Sequence, residues 1–234
     1  MPKKPKPKFG DFFKEGKVDP KYKGVISEES AKRGEVGVFA PHSGNIDKYT
    51  KQIVDYVAKK APQSSKYTFA SKDPKHHTTS TRMTISHSNQ FSEIAGHVKK
   101  AIAVHGYKGE KIYVGGDDNE SRNRVGEKLQ ASPLGEHYEI IYDPNKIPKH
   151  LRGTSKDKSN PYNFINKIAD KGGVQVELPH TLRENKEHRK IVGDTLAEVV
   201  NELSQGQQQP LDFQKAKAEQ DKKLKYQQEY KKAA

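Results

Sequence analysis

Between a lysine- and proline-rich opening and a glutamine- and lysine-rich close, the apolar residues of this chain fall in short runs of strand length, separated by stretches of helical period. That alternation leaves few folds open. Glu35 to Pro41 (EVGVFAP) alternates Val36, Val38 and Ala40 as a strand does. Residues 48–60 follow at once and bring Tyr49, Ile53, Tyr56 and Val57 onto one helical face, with Asp47 where an N-cap belongs. Further strands are expected at 67–70, 79–85, 101–105, 111–114, 138–142 and 173–178. Helices fit 89–100, 119–131 and 188–204, the last with Ile191, Leu196, Val199, Val200 and Leu203 on its apolar side. The pattern predicts an α/β, three-layer domain with a mixed sheet flanked by helices.

At 234 residues the chain can bury one sizeable core. Its hydrophobic fraction of 31% and mean hydropathy of −1.03 are low because polar ends dilute that core. Residues 1–24 read as a flexible basic arm, 25–205 as a single domain, and 206–234 as a polar Lys/Gln-rich tail, helical after Pro210. The net charge of +13 follows the same division. Lys and Arg outnumber Asp and Glu ten to five in residues 1–34 and seven to four in residues 206–234, so the ends hold eight of the thirteen excess charges. The five left on residues 35–205 suit an acidic substrate, and without an aromatic-interleaved basic stripe they do not point to nucleic acid. No apolar run approaches the roughly 18 residues of a membrane span. The opening MPKKPKPKFGDFF has charge without the apolar stretch of an export signal, so synthesis in the cytoplasm is expected. The absence of cysteine excludes disulfides, thiolate metal sites and a cysteine nucleophile.

In α/β sheets ligands bind beyond the carboxyl ends of the strands. Three places qualify: Pro41 to Asp47 (PHSGNID), Val104-His105-Gly106 and Val176-Glu177-Leu178. A catalytic zinc site needs three nitrogen or oxygen ligands, an open position for water and a further carboxylate to take the water proton. His42, Asp47, His105 and Glu177 are residues of those types. Singly, each has an ordinary reading: turn histidines, a helix cap, a surface residue of an edge strand. Glu177 is the most informative, because a carboxylate among Val174, Val176 and Leu178 is costly unless it has a cation or a catalytic purpose.

Four blocks together resemble the phage and bacillar poly-gamma-glutamate hydrolases, zinc enzymes of carboxypeptidase-like fold. They are VFAPHSGNID with Thr50 beyond it, HHTTST at 76–81, AIAVHGYKGEKIYVGGDD at 101–118, and NFINKIADKGGVQVELPHTLR at 163–183. Their order and spacing agree with the family over residues 36–183. The resemblance implies a mixed, mostly parallel sheet, one zinc per chain on His42, Asp47 and His105, and Glu177 as general base. It further implies poly-γ-glutamate, an anionic polymer, as substrate. His77, Asn166, Lys167 and Arg183 are the candidates to contact that substrate, and a monomer is expected. Such an enzyme is expected to act outside the cell after release by lysis.

The chain departs from the family pattern in places. Asp47 stands where the family has Glu, Ser43 and Asn45 replace two glycines, and Lys167 replaces an Arg. A carboxypeptidase or amidase acting on another acidic amide, such as a peptidoglycan fragment, is the alternative those changes keep open. A degenerate module that only binds an anionic polymer is a second. Gly115-Gly116 lacks the Lys and Ser/Thr of a phosphate loop and is expected to form a turn, with Asp117 and Asp118 capping the next helix.

Overall fold

The computed structural model describes residues 7–154 and 163–206. A short hairpin of β1 (Phe13–Lys14) and β2 (Lys17–Val18) comes first. It is followed by β3 (Ile26–Ala31), β4 (Val36–Gly44), α1 (Thr50–Lys60), β5 (Ser65–Ser71), α2 (Asn89–Ala95), β6 (Lys100–Tyr107) and β7 (Ile112–Gly116). Then come α3 (Asn119–Ala131), α4 (Leu134–His137), β8 (Ile140–Ile141), α5 (Phe164–Lys167), β9 (Val174–Pro179), α6 (His180–Glu184) and α7 (Lys186–Ser204). Seven strands form one sheet in the order β3-β5-β4-β6-β9-β7-β8. The run β5-β4-β6-β9 is parallel, β3 lies antiparallel on β5, and β7 lies antiparallel on β9 with β8 parallel to it. The sheet is therefore mixed and mostly parallel.

The pleat sends alternate residues to opposite faces, so the sheet divides two cores. On one face Val36, Val38, Ile102, Val104, Val174 and Val176 pack against Ile53 and Val57 of α1, Leu129 of α3 and Leu196, Val199 and Val200 of α7. On the other, Phe39, Tyr67, Phe69, Ala101 and Ala103 meet Phe91 of α2, Phe164 of α5, and Phe9 and Phe12 ahead of the hairpin. Covering both faces gives three layers and explains why the strands β4 and β9 are buried at nearly every position. Among the described residues no helix is long and apolar enough to cross a membrane.

Several expectations change. Residues 9–22 were expected in a flexible arm, yet Phe9 and Phe12 are fully buried; they enter a cluster of rings with Phe69 that no helical or strand period announces. Residues 79–85 form no strand: 3-10 turns occupy Ser80–Arg82 and Ile85–His87, because both edges of the preceding β5 are already taken by β3 and β4. The helix expected over 89–100 stops at Ala95, capped by Gly96, so that β6 can start at Lys100. The strand expected over 138–142 pairs only at Ile140–Ile141. Asp47 does not cap α1; Tyr49 does, in left-handed conformation with φ of 73°. Asp118 does cap α3, accepting from the Ser121 amide, while Gly115-Gly116 closes β7 instead of forming a free turn. The tail from residue 207, with the helix expected after Pro210, lies outside the described residues.

Candidate metal centre and catalytic cleft

Parallel pairing of β4, β6 and β9 brings His42, His105 and Glu177 to one end of the sheet. His105 continues the face of Ala101 and Ala103, and its direct neighbour across the ladder is Glu177. His42 arrives differently. Simple alternation from Val38 and Ala40 would turn it toward α1, but three steps of β4 from Ala40 to Ser43 oppose two of β5 from Thr68 to Ala70. The extra residue is a bulge, which re-aims the side chain onto His105.

The loop after the bulge is tied at both ends. The Asp47 amide donates to the His42 carbonyl at 2.6 Å and the Asn45 amide to the Ser71 carbonyl at 2.7 Å. Neither Ser43 nor Asn45 adopts a positive φ; Gly44 does, at 79°, and a Cβ there would lie 2.3 Å from the Ser71 carbonyl oxygen. The loop thus returns Asp47 to the two histidines despite its short side chain.

The Nδ1 atoms of His42 and His105 stand 3.1 Å apart, and Asp47 Oδ2 lies 3.7 Å from each. All three residues are buried, and together they are a candidate metal-binding group. Ligand atoms about 2.0–2.1 Å from a tetrahedral zinc are about 3.3 Å from one another, so the three edges found here fit such an ion. The protonation states fit as well. Burial holds His42 below the usual imidazole range, in the neutral form that ligates. Burial alone would raise Asp47, but the two imidazoles facing it hold it well below the ordinary carboxylate range.

Glu177 is the opposite case. It is only 6% exposed, and burial, reinforced by the charge of Asp47, pushes its carboxyl up to about 8. A cation bound at Asp47 supplies charge of the opposite sign beside Glu177 and favours its carboxylate. The cleft of about 470 Å³ above these groups is lined by His42, Asp47, His105, Glu177, Gln175 and Asn163, together with the Thr79-Ser80-Thr81 segment, His77, Tyr107 and His150. Ser80 Oγ reaches His105 Nε2, the far side of that ring, at 3.4 Å.

Of the four residues expected to meet substrate, His77 alone lines this cleft, its ring edge-on to His42 at 4.9 Å between centroids. The Asn166 amide is used up holding the backbone: Nδ2 donates to the Gly153 carbonyl and Oδ1 accepts from the Gly173 and Asp117 amides. Lys167 lines a separate hollow with Met83, Ile85 and Ser92. Arg183 is buried against Gly106 and donates to the carbonyls of Leu178 and Lys48, clamping the 42–49 loop to β9. The residues sequence reasoning missed are Gln175, Asn163, Ser80, Tyr107 and His150. Gln175 had a visible signal: an amide two positions before Glu177 in an apolar strand shares its face.

A mixed α/β sheet that gathers a His-Asp-His set and a buried carboxylate at the carboxyl ends of its strands has the architecture of a hydrolase with a metal site. The chain belongs to the poly-gamma-glutamate hydrolase family, whose profile matches residues 14–202. In fold it is similar to a bacteriophage poly-gamma-glutamate hydrolase, with a TM-score of 0.59 at 23% identity over 76% of this chain and 87% of that one. It is likewise similar to the zinc-free apo form of YNDL, with a TM-score of 0.61 at 20% identity over 78% and 91% of the two chains. Among curated proteins none matches the chain.

Proposed function

We propose that this protein hydrolyses the γ-glutamyl amide bonds of poly-γ-glutamate, with one zinc held by His42, Asp47 and His105 and with Glu177 as general base. The observation that carries the reading is the convergence of three ligand atoms at 3.1, 3.7 and 3.7 Å beside a buried carboxylate, in a chain of this family. The zinc-free description of YNDL, a relative in fold, supports zinc as the ion. When bound, zinc polarises the amide carbonyl and acidifies water.

The chain's own part follows from Glu177. Its carboxylate accepts a proton from the water that attacks the carbonyl carbon, and it delivers that proton to the amide nitrogen as the C–N bond breaks, so that the nitrogen departs as an amine. His77, His150 and the hydroxyls of Thr79, Ser80 and Thr81 line the cleft where the substrate's carboxylates lie. Asn166 and Arg183 serve in this account by holding backbone. A single chain supplies every proposed catalytic group, and Phe9 and Phe12 pack into the apolar cluster beneath the same sheet. The working site of such an enzyme is outside the cell, after lysis.

The test is turnover of poly-γ-glutamate by zinc-loaded protein, beside an α-linked poly-glutamate of equal length. Release of new amines from the γ-linked polymer alone is the expected result. Cleavage of neither polymer by fully loaded protein would contradict the proposal.

A further inference from the structure

Beside the three ligands and the base lies a chain of two buried amides that the chemistry above leaves without a role. The Ile165 amide, which can only donate, bonds Asn163 Oδ1 at 3.2 Å. That fixes which end of Asn163 is which: Nδ2 must face the other way, and it donates to Gln175 Oε1 at 2.8 Å. Gln175 is thereby fixed in turn, and its Nε2 donates to Glu177 Oε1 at 2.8 Å. All three side chains are at least 94% buried, and each lines the cleft. Among the described residues Oε2 of Glu177 has no hydrogen bond, so the relay engages one carboxylate oxygen of a side chain that lines the cleft and leaves the other unengaged.

We infer that Gln175, oriented by Asn163, is a positioning residue that holds Glu177 with one oxygen turned to the attacking water. The inference rests on Glu177 being the base. A carboxylate that must collect a proton from one substrate atom and deliver it to another gains from a fixed plane, and a short donor on one oxygen fixes it without blocking the other. The direction of the relay originates in a backbone N–H at the start of α5, so it does not depend on the state of the metal site. Gln175 Nε2 also reaches the Leu151 carbonyl at 3.4 Å, a second restraint against rotation of the amide.

The experiment is a double-mutant cycle on zinc-loaded protein, with kcat, KM and zinc content measured for Gln175→Leu, Glu177→Gln and the double variant. Gln175→Leu is expected to keep about one zinc per chain and a KM within about threefold, while kcat falls about 10–100-fold. In the Glu177→Gln background the same change should cost nothing further, since there is no base left to position. Asn163→Asp provides the second variant. It keeps the cap on Ile165 but offers Gln175 an acceptor, so the Gln175 amide turns over and presents oxygen to Glu177; kcat should again fall with KM held. Unchanged kcat in both variants, loss of zinc with activity, or an equal loss in the Glu177→Gln background would overturn the inference. Wild-type turnover by Glu177→Gln itself would instead overturn the base assignment, and the inference with it.

Discussion

The Nδ1 atoms of His42 and His105 stand 3.1 Å apart with Asp47 Oδ2 at 3.7 Å from both, so three candidate ligand atoms are gathered in a buried site. Such a set is preorganised for a cation, and one zinc per chain is expected after purification without chelator. His105→Ala should lose the metal and activity together while keeping its circular dichroism spectrum, because the ring lies at the strand end and outside both apolar clusters. Elemental analysis decides it. A stoichiometry near zero that persists after zinc addition would contradict the site.

Glu177 predicts a pH dependence of the zinc-free protein. Its carboxyl holds a proton up to about 8 when folded, against an ordinary value of 4.5. Between those values the folded state binds more protons than the unfolded, so stability falls as pH rises through that window and levels off above it. Urea midpoints of the zinc-free protein at pH 5 and pH 8 should therefore differ more for the wild type than for Glu177→Gln. Parallel behaviour of the two would show that Glu177 is not the group responsible.

The bulge loop makes a prediction through Gly44. Alanine there meets the Ser71 backbone and a φ of 79°, whereas Gly24 has a similar φ of 77° with open space around it. Strained backbone of this kind costs about 1–3 kcal/mol, so Gly24→Ala should lie at the low end and Gly44→Ala above it. Thermal melts compare the pair, and Gly44→Ala should also weaken zinc binding by displacing Asp47. Equal melts with unaltered zinc affinity would mean that the loop tolerates a shift.

At the N-terminus, Phe12 is fully buried between Tyr22, Phe69 and His76. Phe12→Ala should cost about 3–5 kcal/mol in denaturant unfolding. A cost below about 1 kcal/mol would restore the reading of residues 1–24 as an arm.

What the sequence reveals here depends on whether a residue's environment is set locally. The strand Val36–Gly44, helix Thr50–Lys60 and strand Val174–Pro179 stand out because burial on fixed faces imposes period 2 or 3.6 on their apolar residues. The strand Ile26–Ala31 (ISEESA) gives no such sign: it is an edge strand, and its half-buried Glu28 is partnered by Tyr67 and Ser88, which come to it from elsewhere in the chain. The site divides the same way. His42, Asp47, His105 and Glu177 stand at or just after strand ends, where chemistry is sought first, whereas the bulge that turns His42 depends on pairing with a strand more than twenty residues away. Arg183 reads as a substrate cation because its type suggests it. Its contacts with Lys48 and Gly106 exist only after folding.

The central claim is that Glu177 takes the water proton and does not hold the metal. Gln at this position keeps the shape and the contact with Gln175 but cannot accept that proton, and general base catalysis is worth about 10²–10⁴ in rate. Zinc content and poly-γ-glutamate turnover measured on the same preparation of Glu177→Gln test this directly. The account predicts about one zinc per chain with turnover reduced by about that factor; loss of the zinc, or turnover equal to wild type, would contradict it.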